Sequence, residues 1–267
     1  MKTLKQHIFE KLKVSKNPYT LFPKTKEELK QMITDEIYEQ GYECSLNHID
    51  VSRITDMSNL FFSSKFNGNI SNWDVSNVEN MGYMFCDSKF NGDISDWDVS
   101  NVTNMRNIFS NSKFNGDISN WNVSKVENMD AMFYNATFNK DISDWDVSNV
   151  TNMYRMFYNS KFNGDISKWD VSSVNDMAGL FEESIFNGDI SDWNVSSVKY
   201  MGNMFYRSKF NGDISKWDVS NVNNMYSMFA YSNFNRDISN WNVSNVKQMD
   251  HIFDNSPLQI NPPKWYK

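Results

Sequence analysis

Apolar residues recur along most of the chain with a fixed period of 24 residues. A Phe, an Ile and two Val positions keep constant distances from a Trp, as in the segment from Phe114 to Met129, FNGDISNWNVSKVENM. A constant period of this length is typical of repeat proteins, in which each unit covers the apolar face of its neighbour. The tryptophans that mark the period follow one another without an insertion: Trp73, Trp97, Trp121, Trp145, Trp169, Trp193, Trp217 and Trp241.

Within one unit the spacing of the apolar residues changes once. Trp73 and Val75 share one face at a spacing of two residues, which predicts a short strand that also includes Ile70. The dipeptide Asn67-Gly68 predicts a turn with positive φ before that strand. The next apolar residues recur at steps of three and then as an adjacent pair, which predicts a short helix or 3-10 turn: Val78, Met81, Met84 and Phe85.

These elements together predict the fold class. A strand, a helical return and a turn within 24 residues fall in the range of leucine-rich repeats. We therefore predict an α/β repeat solenoid with an N-terminal helical cap. It would be a leucine-rich-repeat-like right-handed coil with one short parallel strand and one short helix or 3-10 turn per unit.

The array and its tail account for most of the chain. Eight full units fill residues 66–257, and a degenerate unit at residues 42–65 precedes them, so the predicted solenoid spans residues 42–257. Residues 258–267 are expected to form a C-terminal capping tail, because an end unit has no neighbour to cover it. Two residues of this tail keep the apolar period of the array: Leu258 and Trp265.

Residues 1–41 predict two short helices before the array. One of them carries an apolar stripe formed by Leu4, Ile8 and Leu12. The second begins after Thr25, which forms a capping box with Glu28, and ends at Gly41. Short helices with one apolar stripe need a surface to cover. We expect them to cap the first unit, and a separate docking or targeting element is the alternative.

The apolar columns of the array are interpreted as core. A Trp column could serve as a stacking platform for sugars, but Trp shares its face with Val in every unit, which favours burial. The 16 methionines are expected to fill gaps between large aromatic residues. Neither column indicates a metal or a cofactor, so no cofactor is predicted.

One polar column places like charges next to each other directly after the Asn-Gly turn. Neighbouring carboxylates about 5 Å apart would repel by about 1 kcal/mol in water. In the first interpretation each carboxylate accepts backbone N–H bonds in its own turn. In the alternative, calcium bridges neighbouring carboxylates. The residues that would carry either role are Asp93, Asp117, Asp141, Asp165, Asp189 and Asp213.

Two further surfaces are candidates for partner binding. The columns that flank Trp would pave the concave sheet, either as a solvated polar face or as an acidic docking surface for an extended partner. The predicted helical side varies most between units, and its tyrosines suit a contact surface, although relaxed constraint explains them as well. The candidate partner-binding residues are Tyr134, Tyr158, Tyr206, Asp74, Asp98, Asp146, Asp170 and Asp218.

The repeated phrase FNGDISNWDVSNVTNM resembles the repeat of BspA-like leucine-rich-repeat surface proteins, which include the mycoplasma lipoprotein group. The resemblance covers residues 42–257 almost without gaps. It implies a leucine-rich-repeat fold and a bacterial or phage protein, and it would suggest a place at the cell surface and a role in adhesion. Unlike members of that group, this sequence is expected to have no signal peptide, lipobox cysteine or anchor.

Composition removes several function classes. The formal net charge of −7, with both signs interspersed, disfavours nucleic acid as a partner. No apolar run is long enough to insert into a membrane. Three histidines stand far apart and no Gly-rich phosphate loop occurs, so we do not expect an enzyme. Two cysteines in different repeat positions are expected to stay unpaired, as in a reducing compartment. As the sequence stands, a cytoplasmic or particle-associated location is expected.

The remaining function classes involve surfaces. The leading hypothesis is a monomeric, non-enzymatic module that binds a protein partner through its extended repeat surface. The first alternative is a structural spacer or a component of a phage or virion particle, which would assemble through a defined surface. The second is a surface adhesin that binds a host protein or glycan. Fold does not choose among these, and the sequence does not identify the partner.

Overall fold

The computed structural model describes residues 18–266 of the chain. Within them the helices are α1, Lys26–Gln40, and α2, Pro257–Ile260, and no strand is formed. The repeat units between these helices consist of turns and extended single residues. The prediction of an α/β repeat solenoid with a strand and a helix in each unit is therefore wrong, although the 24-residue unit itself organises the structure.

Single residue pairs join consecutive units. Each pair is a parallel bridge between residues 24 apart, and it stands alone instead of belonging to a strand. One bridge joins Ser45 to Asn69, next to the predicted strand around Trp73, and the other bridges between units form one column on the residue before the first Met of each unit. Its members are Asp56, Asn80, Asn104, Asn128, Asn152, Asp176, Tyr200, Asn224 and Gln248.

In the segment predicted as a helix, backbone N–H groups alternate between two kinds of partner. The N–H of Tyr83 donates to the Arg106 carbonyl of the next unit at 2.8 Å, and that of Phe85 donates to Ile108 at 3.0 Å. The N–H groups between them donate three residues back within the same unit, as Met84 does at 3.1 Å. A helix needs consecutive bonds four residues back. The alternation instead produces successive turns that bind the neighbouring unit at every second residue.

Left-handed backbone at non-glycine residues makes these turns possible. Tyr83 has φ of 60° and Asp87 has φ of 55°, and the equivalent residues of the other units repeat both values closely. Gly179, with φ of 65°, takes the first of these positions in its unit. A positive φ is costly for residues with a side chain and persists only where surrounding structure enforces it. In the units before the last, hydrogen bonds to the next unit support it, and His251 and Asn255 of the last unit keep similar values.

Two side-chain turns interrupt the segment predicted as a strand. The Oδ1 atom of Asp93 accepts the N–H of Ser95 at 3.0 Å, and that of Asp98 accepts the N–H of Ser100 at 3.0 Å. Such turns compete with extended pairing, because the side chain satisfies the backbone locally. With one turn on each side of Trp97, the segment has no room for a paired strand.

The core contains stacked columns of aromatic rings. The Trp and Met columns belong to this core, as predicted. The Trp97 ring lies 6.4 Å from the Trp73 ring, and its Nε1–H donates to the Ile70 carbonyl at 3.2 Å. The rings of Phe109 and Phe114, which belong to the Phe columns of the core, stack with their centroids 4.1 Å apart. These rings and the methionines between them are buried. The Trp column is therefore core and offers no platform for sugars.

Close packing, not left-handed backbone, explains the glycine after Asn in most units. Positive φ occurs at Gly41 and Gly179 among the described glycines, so the prediction of positive φ at Asn67-Gly68 is wrong. A Cβ at Gly116 would lie 2.8 Å from the Phe114 ring. Gly at this position lets the ring lie flat against the backbone.

Helix α1 packs against the first unit of the array. Thr25 Oγ1 accepts the N–H of Glu28 at 3.2 Å, as the capping box predicts, and Leu29 and Ile33 belong to the same buried cluster as the repeat core. Lys26 Nζ lies 3.2 Å from Asp56 Oδ2 in the first bridge position. The other predicted helix, with Leu4, Ile8 and Leu12, lies outside the described residues.

The C-terminal tail continues the pattern of the core. Trp265 Nε1 donates to the Ile238 carbonyl at 2.8 Å, the bond that each preceding Trp makes 27 residues back. Its ring lies 5.8 Å from Phe253. Leu258, within α2, is buried in the Phe position. Both residues therefore keep the places that their period predicts.

Candidate interaction surfaces

The carboxylates of the column after the Asn-Gly position are engaged within their own turns, including Asp141, which follows Lys140 instead of Gly. The Oδ1 atom of Asp117 accepts the N–H of Ser119 at 3.0 Å. The other members of the column make the same bond at 2.9–3.0 Å: Asp93, Asp141, Asp165, Asp189 and Asp213. The prediction that each carboxylate accepts a backbone N–H is confirmed. Within residues 18–266, no group of three or more His, Cys, Asp or Glu side chains is arranged to hold a metal ion.

These hydrogen bonds lower the carboxylate pKa values. The pKa of Asp117 lies below its ordinary value because the N–H and then the hydroxyl of Ser119 bind the charged form. The same cause lowers the pKa of Asp165 through Ser167. Hydrogen bonding thus acts against the like-charge repulsion along the column.

The candidate acidic residues next to Trp make a second row of turns. Asp74, for example, accepts the N–H of Ser76 at 3.1 Å and its hydroxyl at 2.6 Å. No sheet exists for this row to pave, because the described units contain no strand. The two rows together are called the turn face below. The other candidates in the second row each accept the N–H of the Ser two residues on: Asp98, Asp146, Asp170 and Asp218.

A different surface collects the tyrosines and arginines of the array. It lies on the successive turns that follow the bridge column, where the side chains change from unit to unit. We call this surface the Tyr–Arg strip. It consists of Tyr83, Arg106, Asp130, Tyr134, Tyr154, Arg155, Tyr158, Glu182, Glu183, Tyr206, Arg207, Tyr226, Tyr231, His251 and Asp254.

The three candidate tyrosines fall into two separate groups on this strip. Tyr134 and Tyr158 stack with their ring centroids 4.3 Å apart. Tyr206 is two units further along and packs edge-on against Tyr231 at 5.6 Å instead. Glu182 occupies the position between the two groups. The structure therefore brings together one predicted pair and adds a tyrosine that the sequence did not single out.

Arginines of the chain lie over these tyrosine rings. The Arg155 guanidinium carbon is 5.2 Å from the Tyr154 ring centroid and 5.4 Å from that of Tyr158. Arg207 lies at 5.2 Å from Tyr206 and 5.4 Å from Tyr231. These separations are within the range of attractive cation–π contacts. The contacts orient these rings, of which Tyr231 is exposed and the other three are half-buried.

Each arginine also faces an acidic residue of the strip. Arg106 Nε lies 2.9 Å from Asp130 Oδ2, and Arg155 Nε lies 3.2 Å from Glu182 Oε2. In the second pair the Nε atom of Arg155 and the Oε2 atom of Glu182 are buried, and neither has a hydrogen-bond partner. Burial raises the pKa of Glu182, and Arg155 opposes the rise. Burial likewise raises the pKa of Asp130.

A polar groove that the sequence analysis missed lies beside the bridge column. Two clefts of about 630 and 600 Å³ meet at Thr103 and Lys125 and run along consecutive units. We call this surface the Thr–Glu groove. The alternation of its central column is visible in the sequence when units are aligned: Thr55, Glu79, Thr103, Glu127 and Thr151.

The described histidines pair with carboxylates, and Cys44 interacts electrostatically with Glu36, the partner of His48. His48 faces Glu36 on α1, and His251 faces Asp254 in the last unit. Cys44 and Cys86 are unpaired, as expected, and buried. Burial and then Asp87 raise the pKa of the Cys86 thiol to about 12. Across residues 18–266, no helix has the length and hydropathy that a bilayer crossing would require.

Comparison with known families agrees with the mycoplasma-type repeat. The family described as "Mycoplasma protein of unknown function, DUF285" matches four overlapping segments, at residues 27–141, 89–185, 135–230 and 186–265. No curated protein matches the chain, and no solved structure does.

Proposed function

The chain belongs to this family of repeat proteins, and we propose that it acts as a monomeric, non-enzymatic module that binds a protein partner through the Tyr–Arg strip. One observation carries the proposal. On the strip the side chains differ from unit to unit, and arginines lie over its tyrosine rings. Tyr and Arg are the residue types that dominate the binding energy of protein interfaces.

The state of the rings favours recognition. Tyr134 and Tyr158 are already stacked, and Arg155 fixes the second ring. A partner that packs on ordered side chains loses less conformational entropy on binding than one that must order them. The strip therefore offers preorganised aromatic area over several units.

The turn face is a weaker candidate for the same role. Its carboxylates and amides already accept hydrogen bonds from the turns that they stabilise, as Asp98 does from Ser100. A partner would compete with these bonds. Because the face repeats the same groups in every unit, it also has little means of selecting one partner.

The non-enzymatic part of the proposal rests on the polar groups. His48 and His251 are each paired with a carboxylate at opposite ends of the array. The raised pKa of Cys86 keeps its thiol protonated near neutral pH, and a protonated thiol is a poor nucleophile.

Affinity capture from lysate and medium of the native source tests the proposal. The strip variant is Tyr158→Ala with Tyr206→Ala, because the array itself holds Ala230 in that column. The turn-face control is Asp98→Asn with Asp170→Asn, since Asn122 occupies the same column. The groove control is Glu79→Thr with Glu127→Thr, after Thr103.

A protein captured by the wild type and both controls, and lost only in the strip variant, is the expected result. If capture is lost in one control variant and kept in the strip variant, the strip is not the binding site. The site then lies on the turn face or in the groove, whichever that control alters. A glycan as the captured ligand would favour the adhesin. If the protein forms a discrete homo-oligomer and captures no partner, the result would favour the alternative of a structural spacer.

A further inference from the structure

The Tyr–Arg strip repeats one local arrangement of three groups. A tyrosine ring lies beneath a guanidinium, and an acidic side chain faces the same guanidinium. Arg106 lies 5.4 Å from the Tyr83 ring and 2.9 Å from Asp130. Arg155 joins Tyr158 to Glu182 in the same way, at 5.4 and 3.2 Å.

The third arrangement is looser and more exposed. Arg207 lies over Tyr206 and Tyr231, and its guanidinium is 3.6 Å from Glu183. The strip thus uses the same chemistry three times. A planar cation stacks on an aromatic face and pairs with a carboxylate, which suits arginine better than lysine.

At the C-terminal end of the strip a histidine replaces the arginine. The ring of His251 meets that of Tyr226 edge-on at 5.7 Å, and its Nδ1 lies 2.7 Å from Asp254 Oδ2. Since a carboxylate only accepts, Nδ1 carries the proton of that bond. Tyr226 remains 44% exposed, and no arginine of the described chain lies over its ring.

These side chains line an open cleft of about 410 Å³. Its walls are Asn203, Tyr206, Tyr226, Tyr231, His251 and Asp254. The charges around it favour a cation. Asp254 faces His251, and Glu183 and Arg207 of the neighbouring arrangement offset each other.

The geometry points to this cleft as a receptor for an arginine side chain of the protein partner. The guanidinium would stack on the exposed face of Tyr226 and pair with Asp254, so that the partner completes the arrangement that the chain builds for itself three times. This inference rests on the proposed function, because it names the partner group that the strip recognises.

Titration of the full chain with N-acetyl-arginine methylamide tests the inference. The signal is the ring proton of His251 in NMR, assigned with a His251→Gln variant among the three histidines. N-acetyl-citrulline methylamide has nearly the same shape without the charge, and the lysine analogue carries a charge without the planar group. A methyl glycoside serves as the probe for a saccharide site.

A saturable shift with arginine, weaker with lysine and weakest with citrulline, is the expected result. Tyr226→Ala should weaken arginine binding by about twofold to fivefold, the range of one exposed cation–π contact. Tyr226→Phe keeps the ring and should bind like the wild type, which separates loss of the contact from loss of structure. Tyr38→Ala, on helix α1 outside the strip, removes an exposed tyrosine and should change nothing.

Equal binding of arginine and citrulline would overturn the inference, and so would saturation by the glycoside alone or an unchanged affinity in Tyr226→Ala. The two proposals fail separately. Capture that depends on Tyr158 and Tyr206 without any response to the arginine probe removes this inference only. A responding cleft on a chain that captures no protein removes the proposed function only.

Discussion

The turn face and the Tyr–Arg strip lie on the same repeat units but use polar residues in opposite ways. On the turn face, Asp117 and its equivalents are exposed, and each accepts the N–H of the Ser two residues on. On the strip, Asp130 and Glu182 are buried beneath arginines. Hydrogen bonding lowers the carboxylate pKa values of the first surface, and burial raises those of the second.

This difference separates residues that make the fold from residues that are free to vary. A turn-face side chain satisfies its own backbone, so every unit needs the same group at that position. A strip side chain projects from a backbone that the next unit already holds, as at Tyr83 and Arg106. Arg, Asp, Tyr and Gly can therefore replace one another there without altering the turns.

The largest effect is expected where the turn face meets the core. Trp169→Ala removes a ring that stacks on Trp145 and an Nε1–H bond to the Ile142 carbonyl at 3.0 Å. We expect a loss of about 3–5 kcal/mol in the free energy of unfolding, measured by urea denaturation. Tyr158→Ala on the strip is the control and should cost about 1 kcal/mol or less. Equal losses would erase the distinction between the two regions.

The next effect concerns the partly buried ion pair of Arg155 and Glu182 on the strip. Arg155→Asn, the residue that the array holds at Asn107 and Asn203, leaves Glu182 buried without its cation. We expect a loss of about 1–3 kcal/mol at pH 7. Adding Glu182→Ala should recover more than half of it, because the uncompensated carboxylate is then gone. Failure of the double variant to recover stability would mean that Arg155 acts through its tyrosine contacts alone.

A smaller effect is expected from one turn of the turn face. In Asn122→Ala, Ser124 loses the acceptor of its N–H at 3.2 Å and of its hydroxyl at 2.7 Å. We expect a loss of about 1 kcal/mol in the free energy of unfolding. Asn122→Asp keeps the acceptor, as Asp146 does one unit on, and should stay within about 0.5 kcal/mol of the wild type. An equal loss in both variants would count against the local role of this side chain.

Acidification should act on the two surfaces with opposite signs. The lowered pKa of Asp117 contributes stability that is present above its unfolded value of 3.8 and is lost as the pH falls through the folded value. The raised pKa of Glu182 means that its folded form takes up a proton above 4.5, so mild acidification relieves the burial of charge. Thermal melts should show that Glu182→Ala reduces the gain in stability on acidification towards pH 4.5, to which Asp130 also contributes, while the loss below pH 3.8 remains.

Part of this structure is accessible from sequence alone. The period of Trp73 and its equivalents predicts the unit, the buried columns and the place of Trp265 in the tail. Thr25 and Glu28 predict the start of α1 because capping uses only local residues. Each of these features follows from spacing along the chain.

The backbone of the units does not follow from spacing. Met81, Met84 and Phe85 have the periodicity of a helix, but turns with bonds three residues back place apolar side chains at the same steps. The positive φ at Tyr83 falls on a residue type that rarely adopts it. Hydrogen bonds to the neighbouring unit stabilise this conformation, and no local sequence pattern predicts them.

The strip lies between these two cases. Alignment of the units places Arg106 next to Asp130 and Tyr134 next to Tyr158, because each pair is 24 residues apart. Attention to pairs within a column, instead of to tyrosines alone, would have found both contacts. The position of the Arg155 guanidinium over the Tyr154 and Tyr158 rings depends on backbone turns that the sequence does not reveal.

Carboxyl-carbon NMR of the intact chain across a pH titration tests the central comparison most directly. It reports the pKa values of both surfaces in one experiment. The account predicts that Asp117 and Asp165 titrate below the ordinary value of 3.8 and that Asp130 titrates above it. It also predicts that Glu182 titrates above 4.5. Ordinary values for all four, or raised values on the turn face, would contradict the division between a surface used by the fold and a surface left for a partner.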